Sequence, residues 1–318
     1  MKISIAMASY NGGRHIGAQL RSFGSQTRPP DQLVICDDGS TDDTIAIVTA
    51  FAAEAPFEVV IHRNEVNLGY ARNFLGAIRR CTGDLIFLSD QDDVWLDDKV
   101  ATVAAVHEAA EEPLLTINNQ EIADASMVRS GRTTLEQIRR HGRKDASFVH
   151  GCCTAFGAAF VPLLGDLPAG MAHDDWLHFL ATRLGRRQVV PDVLQLYRRH
   201  SGATTSSVFN SSDEPDRWAP LAQATPKGSR AERQASLERR LRLLEEAGSR
   251  LEQANHRGWA PARLKQARDD LAHEAAAVGA RLQLLSGRRG RLAPLAMLAS
   301  GHYRHFDGLR SFVRDLLL

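Results

Sequence analysis

The chain has 318 residues, 43% of them hydrophobic and 24% charged, so it can bury a sizeable core and is neither disordered nor fibrous. Its formal net charge of +1 argues against a dedicated nucleic-acid-binding protein. Residues 229–318 contain 17 Lys and Arg against 10 Asp and Glu, a net of +7, which leaves 22 against 28, a net of −6, for residues 1–228. We therefore expect the two parts to have different partners.

The first 89 residues alternate between strand-like and helix-like patterns. In chain order, the patterns predict a strand at 3–8, a helix from 16, a strand at 33–36, a helix at 40–51, a strand at 57–62, a helix at 71–80 and a strand at 84–89. Ser40 and Asp43 resemble a capping box at the start of the second helix. This order predicts an α/β fold, with a mainly parallel sheet flanked by helices and ligands bound at the carboxyl ends of its strands.

The second half of the chain has a different character. Residues 114–200 are less regular, and residues 201–228 are rich in Ser, Thr, Pro and Asp, which is typical of a linker or loop. Apolar residues then recur at heptad-like spacing and predict a C-terminal helical extension, which begins with a helical hairpin. The predicted domains are a catalytic domain at 1–205, a linker at 206–228 and a basic helical extension at 229–318.

Cysteine use and hydropathy indicate a cytoplasmic protein. The four cysteines fit neither a disulfide framework nor a zinc pattern, which favours a reducing compartment. The N-terminus reads as a strand rather than a signal peptide, and no run of 18 apolar residues occurs. We expect a protein that is at most peripheral to a membrane, at the inner face of the cell membrane.

Several acidic residues follow predicted strands. Asp90-Gln91-Asp92-Asp93 places three carboxylates at one strand end, which suits Mg²⁺ or Mn²⁺ with phosphate oxygens completing the shell, although a solvated acidic turn is the alternative. Asp37-Asp38 follows another strand and could accept from a base imide or ribose hydroxyls, or could simply belong to a helix-capping turn.

Two later segments carry further candidates. His173-Asp174-Asp175 opens a helical pattern, where the carboxylates are either partners of the helix dipole or include a general base for an acceptor hydroxyl. Tyr197-Arg198-Arg199-His200 is either a strand edge with solvated cations or a group that meets a diphosphate, with His200 completing a metal shell.

Taken together, these segments resemble glycosyltransferase family 2. The segments that carry the resemblance are Ser9–Asn11, Asp37–Ser40, Asn67–Asn73, Ser89–Trp95, His173-Asp174 and Tyr197–His200. The motif Ser-Asp-Gln-Asp-Asp-Val-Trp at Ser89–Trp95 is followed downstream by His-Asp rather than Glu-Asp. In both respects the sequence is similar to members of the bacterial rhamnosyltransferase-like branch of the family. The resemblance covers roughly residues 1–205 and implies a GT-A fold with inverting, metal-assisted transfer from a nucleoside-diphosphate sugar such as a dTDP- or UDP-sugar.

The resemblance also implies roles for individual residues. The nucleotide-sugar site would comprise Ser9, Tyr10 against the base, Asn11, Asp38 on the imide, Arg72 near the nucleotide, Asp90 on ribose or sugar, and Arg198 on the diphosphate. Asp92 would hold the metal, with Asp93 as a competitor and His200 as a further ligand. Asp174 would be the catalytic base, with Asp175 as the alternative, because His173 stands where many relatives have Glu.

Other functions remain open at this point. A nucleotidyltransferase would need a triphosphate-gripping loop, of which Asn11-Gly12-Gly13-Arg14 is a faint version, and a dinuclear metal hydrolase would need a helical domain. A nucleotide-sugar-binding or scaffold protein without turnover is the non-enzymatic alternative. By the resemblance, the acceptor would be a glycan or a lipid-linked acceptor in bacterial surface polysaccharide synthesis. The basic C-terminal helices are predicted either to bind an anionic membrane surface or to pack on the catalytic domain.

Overall fold

The computed structural model of the protein describes residues 1–199, 229–254, 258–287 and 292–316. In these residues the strands are β1 (Ile3–Ser9), β2 (Gln32–Asp37), β3 (Glu58–Arg63), β4 (Leu85–Ser89), β5 (Val94–Trp95), β6 (Leu115–Ala123), β7 (Arg129–Thr133), β8 (Thr154–Gly157) and β9 (Arg187–Arg198). The α-helices are α1 (Ile16–Gly24), α2 (Thr44–Glu54), α3 (Tyr70–Arg80), α4 (Lys99–Glu108), α5 (Thr134–Arg140), α6 (Val161–Leu164), α7 (His173–Arg183), α8 (Arg230–Gln253), α9 (Pro261–Leu285), α10 (Ala293–Ala299) and α11 (Leu309–Leu316).

The strands form one mixed sheet in the order β3-β2-β1-β4-β8-β6-β9-β5, with β7 on β6. The strands β3, β2, β1 and β4 are mutually parallel, as their alternation with helices predicts. In the second half β8 pairs antiparallel with both β4 and β6, and β9 pairs parallel with β6. Because β1, β2 and β4 run side by side, the loops that follow them meet at one edge of the sheet.

The core explains why the sequence of β1 is mostly apolar. It lies between β2 and β4, and its residues Ile3, Ile5 and Met7 are buried in the main hydrophobic cluster. Helix α1 covers this face with Ile16 and Phe23, which are also buried. A strand that is buried on both faces reads as a nearly continuous apolar run, and the sequence therefore predicted β1 correctly, with Ser4 as its one buried polar interruption before Ser9.

The predicted capping box of the second helix is wrong. Helix α2 begins at Thr44, four residues beyond Ser40, and no side chain caps it at Asp43. The Ser40 hydroxyl donates instead to the Asp37 carboxylate and accepts from the Asn11 N–H at 2.8 Å. The buried Asp37 therefore competes successfully for the hydroxyl, and Ser40 holds two loops together.

The chain divides into two compact units, of which one comprises residues 1–212 with 257–259 and the other residues 213–256 with 260–318. The predicted linker at 206–228 and its boundary with residue 205 lie outside the described residues, so these boundaries stay a prediction. In the described part of the chain, no helix combines the length and apolarity needed to cross a membrane. All four cysteines are described, and they are free thiols.

The second unit contains the predicted helical hairpin. Helices α8 and α9 pack against each other through the predicted apolar stripes, and their buried members include Leu237, Leu244, Leu251, Leu264, Leu271 and Val278. A buried ion pair interrupts the stripe, because Arg240 Nη2 lies 2.8 Å from Glu274 Oε1. Helix α8 begins with a capping box formed by Ser229 and Glu232, which satisfies backbone N–H groups at its first turn.

Candidate active site

The loops after β1 and β2 are organised around the carboxylate of Asp37, which is fully buried. Its Oδ2 accepts from the Ser9 hydroxyl at 3.0 Å, and its Oδ1 accepts from the Ser40 N–H at 2.8 Å and the Gly39 N–H at 3.2 Å. Ser9, predicted to contact the nucleotide sugar, is thus buried behind the loops and bonded to Asp37. Its observed part is to hold the first two strand ends together.

Asn11 shapes the loop after β1. Its φ is +46°, in the left-handed region that Asn tolerates better than most residues. Its N–H donates to Ser40 Oγ, and its Oδ1 accepts from the Thr41 N–H at 2.9 Å. These bonds fix the loop and leave the neighbouring Tyr10 ring half exposed at the strand end.

Asp38 lies beside this loop and is buried, at 3% exposed. Its Oδ1 accepts from Asn64 Nδ2 at 2.9 Å and from the Leu68 N–H at 2.8 Å, and its Oδ2 accepts from the Gly69 N–H at 2.9 Å. A carboxylate offers about four acceptor positions. The three bonds orient Asp38 and leave acceptor capacity for one further donor.

Gln91 connects the acidic loop after β4 to the loop after β1. Its Oε1 accepts from the Tyr10 N–H at 3.0 Å, and its Nε2 donates to the Tyr10 carbonyl at 3.0 Å. The amide packs closely over Gly12, where a Cβ atom would lie 2.1 Å from Gln91 Oε1. Gly12 is therefore required for the Gln91–Tyr10 bond pair rather than for a special backbone angle.

Gly12→Ala is expected to displace Gln91 and to lower the free energy of unfolding by about 1 kcal/mol, since two hydrogen bonds that are partly solvated are lost. Gln91→Ala is the matched control and should cost a similar amount. In the Gln91→Ala background the clash is gone, so adding Gly12→Ala should be neutral or slightly stabilising. Urea denaturation of the four proteins measures this cycle, and an equal loss from Gly12→Ala in both backgrounds would contradict it.

The loop after β4 carries the most concentrated charge of the site. Ligand atoms of Asp90, Asp93 and Cys152 all lie within 4.8 Å of one another. Burial raises the pKa of Asp90 well above its usual range, and the carboxylates of Asp92, Asp93 and Asp174 act in the same direction. Burial, together with Asp92, raises the pKa of Asp93 to about 7. The site therefore gathers carboxylates that repel one another in the absence of a cation.

The two candidate metal ligands have different surroundings. Asp93 is almost fully buried, and its carboxylate accepts from Gln195 Nε2 at 3.1 Å and from the Arg198 N–H at 3.1 Å. Asp92 keeps partial exposure. Asp93 thus joins the loop to β9, whereas the carboxylate of Asp92 is the more accessible of the two.

A buried lysine lies behind the acidic loop. Lys99 Nζ donates to the Cys152 carbonyl at 3.0 Å and to Gln195 Oε1, and it lies 3.9 Å from the centroid of the Trp95 ring. Burial lowers the pKa of Lys99 to about 8, while Cys153, Cys152, Asp93 and Asp90 act in the opposite direction. Sequence reasoning missed this residue, because a lysine in the first turn of a helix gives no sign that it is buried.

Arg198, predicted to meet a diphosphate, is mostly buried at the end of β9. Its Nε donates to the Asp92 carbonyl at 2.7 Å, and its Nη1 donates to the Ala125 carbonyl at 2.6 Å. These bonds occupy two of the five N–H donors of a guanidinium. Arg198 therefore lies beside the acidic loop and fixes its backbone, while its predicted contact with a diphosphate stays a prediction.

Asp174 lies in the first turn of α7 and is buried. Its charge raises the pKa of Asp90, so the predicted base lies near enough to the acidic loop to act on it. Gly151 lies next to Asp174, since a Cβ atom there would be in ordinary van der Waals contact with Asp174 Cβ, at 3.6 Å. The preceding His173 is buried and stacks on Phe74 with ring centroids 4.1 Å apart.

One turn beyond Asp174, a neutral histidine supports the helix. His178 Nδ1 accepts from Arg187 Nε at 2.8 Å, and its Nε2 bonds to the Thr154 hydroxyl at 2.8 Å. Burial lowers the pKa of His178 well below its usual range, and the Arg187 guanidinium acts in the same direction. This histidine therefore stays uncharged and joins α7 to β8 and β9.

The remaining predicted residues are placed as follows. Asp175 is partly exposed in the first turn of α7, and Arg72 is exposed in the first turn of α3. His200, predicted as a metal ligand, lies outside the described residues. The fold thus brings Asp90, Asp92, Asp93, Asp174 and Arg198 together, next to the loops that carry Tyr10 and Asp38.

Comparison with known proteins shows which protein family this chain is similar to. Residues 4–161, about half of the chain, match the family model described as Glycosyl transferase family 2. A protein of Nostoc sp. named as a glycosyltransferase is 30% identical over 111 residues, which cover 35% of this chain and 34% of that protein. The abequosyltransferase RfbV of Salmonella typhimurium is 25% identical over 192 residues, which cover 58% of this chain and 57% of RfbV.

A crystal structure of S. aureus TarS in complex with UDP-GlcNAc has the same fold, with a TM-score of 0.54 and 17% identity over 95% of this chain and 88% of that chain. The predicted GT-A fold is therefore confirmed. Residues 4–161 thus match the family model of glycosyltransferase family 2, and the fold is that of GT-A glycosyltransferase structures. The chain spans about a third of the Nostoc protein and 57% of RfbV, less than two thirds of either relative.

Proposed function

We propose that the protein is an inverting, metal-dependent glycosyltransferase, which moves a sugar from a nucleoside-diphosphate sugar to a hydroxyl group of a glycan or lipid-linked acceptor. The proposal depends above all on the convergence of four carboxylates: Asp90, Asp92 and Asp93 follow the carboxyl end of β4, and Asp174 comes from the first turn of α7. The family match and the names of the relatives support it.

The nucleotide would lie over the ends of β1 and β2. The acceptor capacity left on Asp38 suits the imide N–H of uridine or thymidine, which present the same edge, and the half-exposed Tyr10 ring offers a face for stacking. Both features favour a UDP- or dTDP-sugar as donor. The motif Ser89–Trp95 is similar to that of the rhamnosyltransferase-like branch, which makes rhamnose a candidate sugar. The N-acetylglucosamine of the donor in the TarS complex is another candidate.

The site is suited to a divalent metal because the acidic loop offers the carboxylate oxygens of Asp90, Asp92 and Asp93, which Mg²⁺ and Mn²⁺ prefer. Asp92 would hold the ion together with diphosphate oxygens, because its side chain is more exposed than that of Asp93, which joins the loop to β9. Asp90 would contact the ribose or the sugar. When bound, the ion would supply positive charge that stabilises the leaving diphosphate.

Asp174 would accept the proton of the attacking hydroxyl. It lies buried in the first turn of α7, in the same site as the acidic loop. Attack from the face opposite the departing diphosphate would invert the configuration at the anomeric carbon. Arg198, beside the acidic loop, would add positive charge on the leaving-group side.

The decisive experiment incubates the protein with a panel of UDP-, dTDP- and GDP-sugars and Mn²⁺ and measures released nucleoside diphosphate. We expect release from one donor, stimulation by a bacterial glycan fraction, loss in excess EDTA, and inverted anomeric configuration by NMR. Donor binding without release under all conditions would instead identify a nucleotide-sugar-binding protein. Consumption of a nucleoside triphosphate would identify a nucleotidyltransferase.

A further inference from the structure

The last described helix, α11, exposes an apolar face, while its inward side carries Ser311 and Asp315 beside the partly buried Phe312. Ser311 and Asp315 are 0% and 3% exposed, whereas Leu309, Val313 and Leu316 are 68%, 52% and 49% exposed. The three apolar residues stand at i, i+4 and i+7, so they lie on one face of the helix. A surface helix of a globular protein ordinarily has the opposite arrangement.

A buried ion pair determines which way α11 faces. Arg281 of α9 lies with its Nε 2.9 Å from Asp315 Oδ2 and donates from Nη2 to Asp315 Oδ1 at 3.1 Å, and both side chains are almost fully buried. The Arg281 guanidinium also lies 4.5 Å from the centroid of the Phe306 ring. Turning the helix over would leave the buried Arg281 charge without this partner, which is strongly unfavourable. The exposed apolar face is therefore a consequence of specific packing.

The preceding helix, α10, adds to this apolar surface. Its residues Pro294 and Met297 face inward, and Met297 packs in a small core with Ala280 and Tyr303. Its outward side and the residue before it carry Leu292, Leu295 and Leu298, all exposed. Exposed apolar residues grouped in this way mark a surface that binds another molecule.

The charge of this region indicates the kind of partner. Residues 229–318 as a whole carry a net charge of +7. In the part that contains the two helices, 292–316, Arg304 and Arg310 are exposed, as is Asp307. A second copy of the chain would bring two such positive surfaces together, which opposes self-association. An anionic lipid bilayer complements both the positive charge and the leucine side chains.

We propose that α10 and α11 form a docking surface for an anionic lipid bilayer, with Leu292, Leu295, Leu298, Leu309, Val313 and Leu316 entering the interface. The helices lie on the bilayer and do not cross it, since each has fewer than nine residues. This inference depends on the C-terminal helices alone and does not rest on the proposed transfer reaction.

The test is sedimentation of the full chain with vesicles of phosphatidylcholine, with and without an equal part of phosphatidylglycerol. We expect the wild type to sediment with the anionic vesicles at low salt and to remain in solution with the neutral ones. Binding should fall in 1 M salt, where the Debye length is about 3 Å. Arg304→Gln and Arg310→Gln should each weaken binding about fivefold.

The apolar contribution is tested by Leu309→Ser/Val313→Ser, which should reduce vesicle binding by at least about tenfold. The matched control is Val66→Ser/Val128→Ser, because these side chains are exposed to a similar extent, at 65% each, in the other unit. Circular dichroism and thermal melting establish that both variants fold. The proposal is overturned if the wild type stays in the supernatant with anionic vesicles at low salt, or if both double variants bind equally well. It is also overturned if analytical ultracentrifugation shows a dimer that Leu309→Ser/Val313→Ser dissociates.

Discussion

Asp92→Asn is expected to lower sugar transfer by at least about 100-fold, because loss of even an outer-shell partner of a bound metal costs about 10- to 100-fold. The protein should remain folded. Asp92 raises the pKa values of both Asp90 and Asp93, so a neutral residue at this position relieves repulsion among the carboxylates. The melting temperature without added metal should therefore hold or rise. Initial rates at several Mn²⁺ concentrations and thermal melting in EDTA measure the two effects.

Asp93→Asn is the matched control for this prediction. Asp93 is buried and accepts from Gln195 Nε2 and from the Arg198 N–H, so its replacement disturbs the join between the acidic loop and β9. We expect its main effect to be a lower melting temperature rather than a changed dependence on Mn²⁺. Full transfer by Asp92→Asn, or full transfer by the wild type in excess EDTA, would remove the metal from the mechanism.

Asp174→Asn is expected to lower turnover by about two to four orders of magnitude, the usual contribution of a general base. The carboxylate is buried beside the acidic loop, and its proposed partner is the acceptor hydroxyl rather than the donor. Donor affinity should therefore change little. Single-turnover rates at saturating acceptor and isothermal titration with the nucleotide measure the two quantities separately.

Asp175→Asn is the control for this second prediction, since Asp175 stands in the same helical turn but is more exposed. Its turnover should stay within a few-fold of the wild type. The opposite result, an active Asp174→Asn with an inactive Asp175→Asn, would move the base by one residue. Weakened nucleotide binding by Asp174→Asn would assign that residue to the donor side.

The parallel half of the sheet could be predicted from the sequence because its signals are local. Buried strands such as β1 and β4 read as apolar runs, and amphipathic helices such as α3 read as periodic ones. Asp37, Asp38 and Asp90 could then be placed at one edge, since parallel strands end on the same side. The predicted capping box at Ser40 was wrong because the Ser40 hydroxyl donates to Asp37 instead. The burial of Asp37 depends on tertiary packing, which no local sequence pattern reveals.

The sequence by itself determined the alternation of strands and helices in the parallel half, the edge at which the acidic residues meet and the apolar stripes of the hairpin, since each follows from the spacing of neighbouring residues. Only the tertiary structure decided which groups surround the acidic loop. Lys99, Cys152 and Gln195 come from separate elements and meet there because β9 and the segment before β8 pack against that loop. The orientation of α11 was decided in the same way, because a buried charge pair outweighs the usual tendency of an amphipathic helix to bury its apolar side.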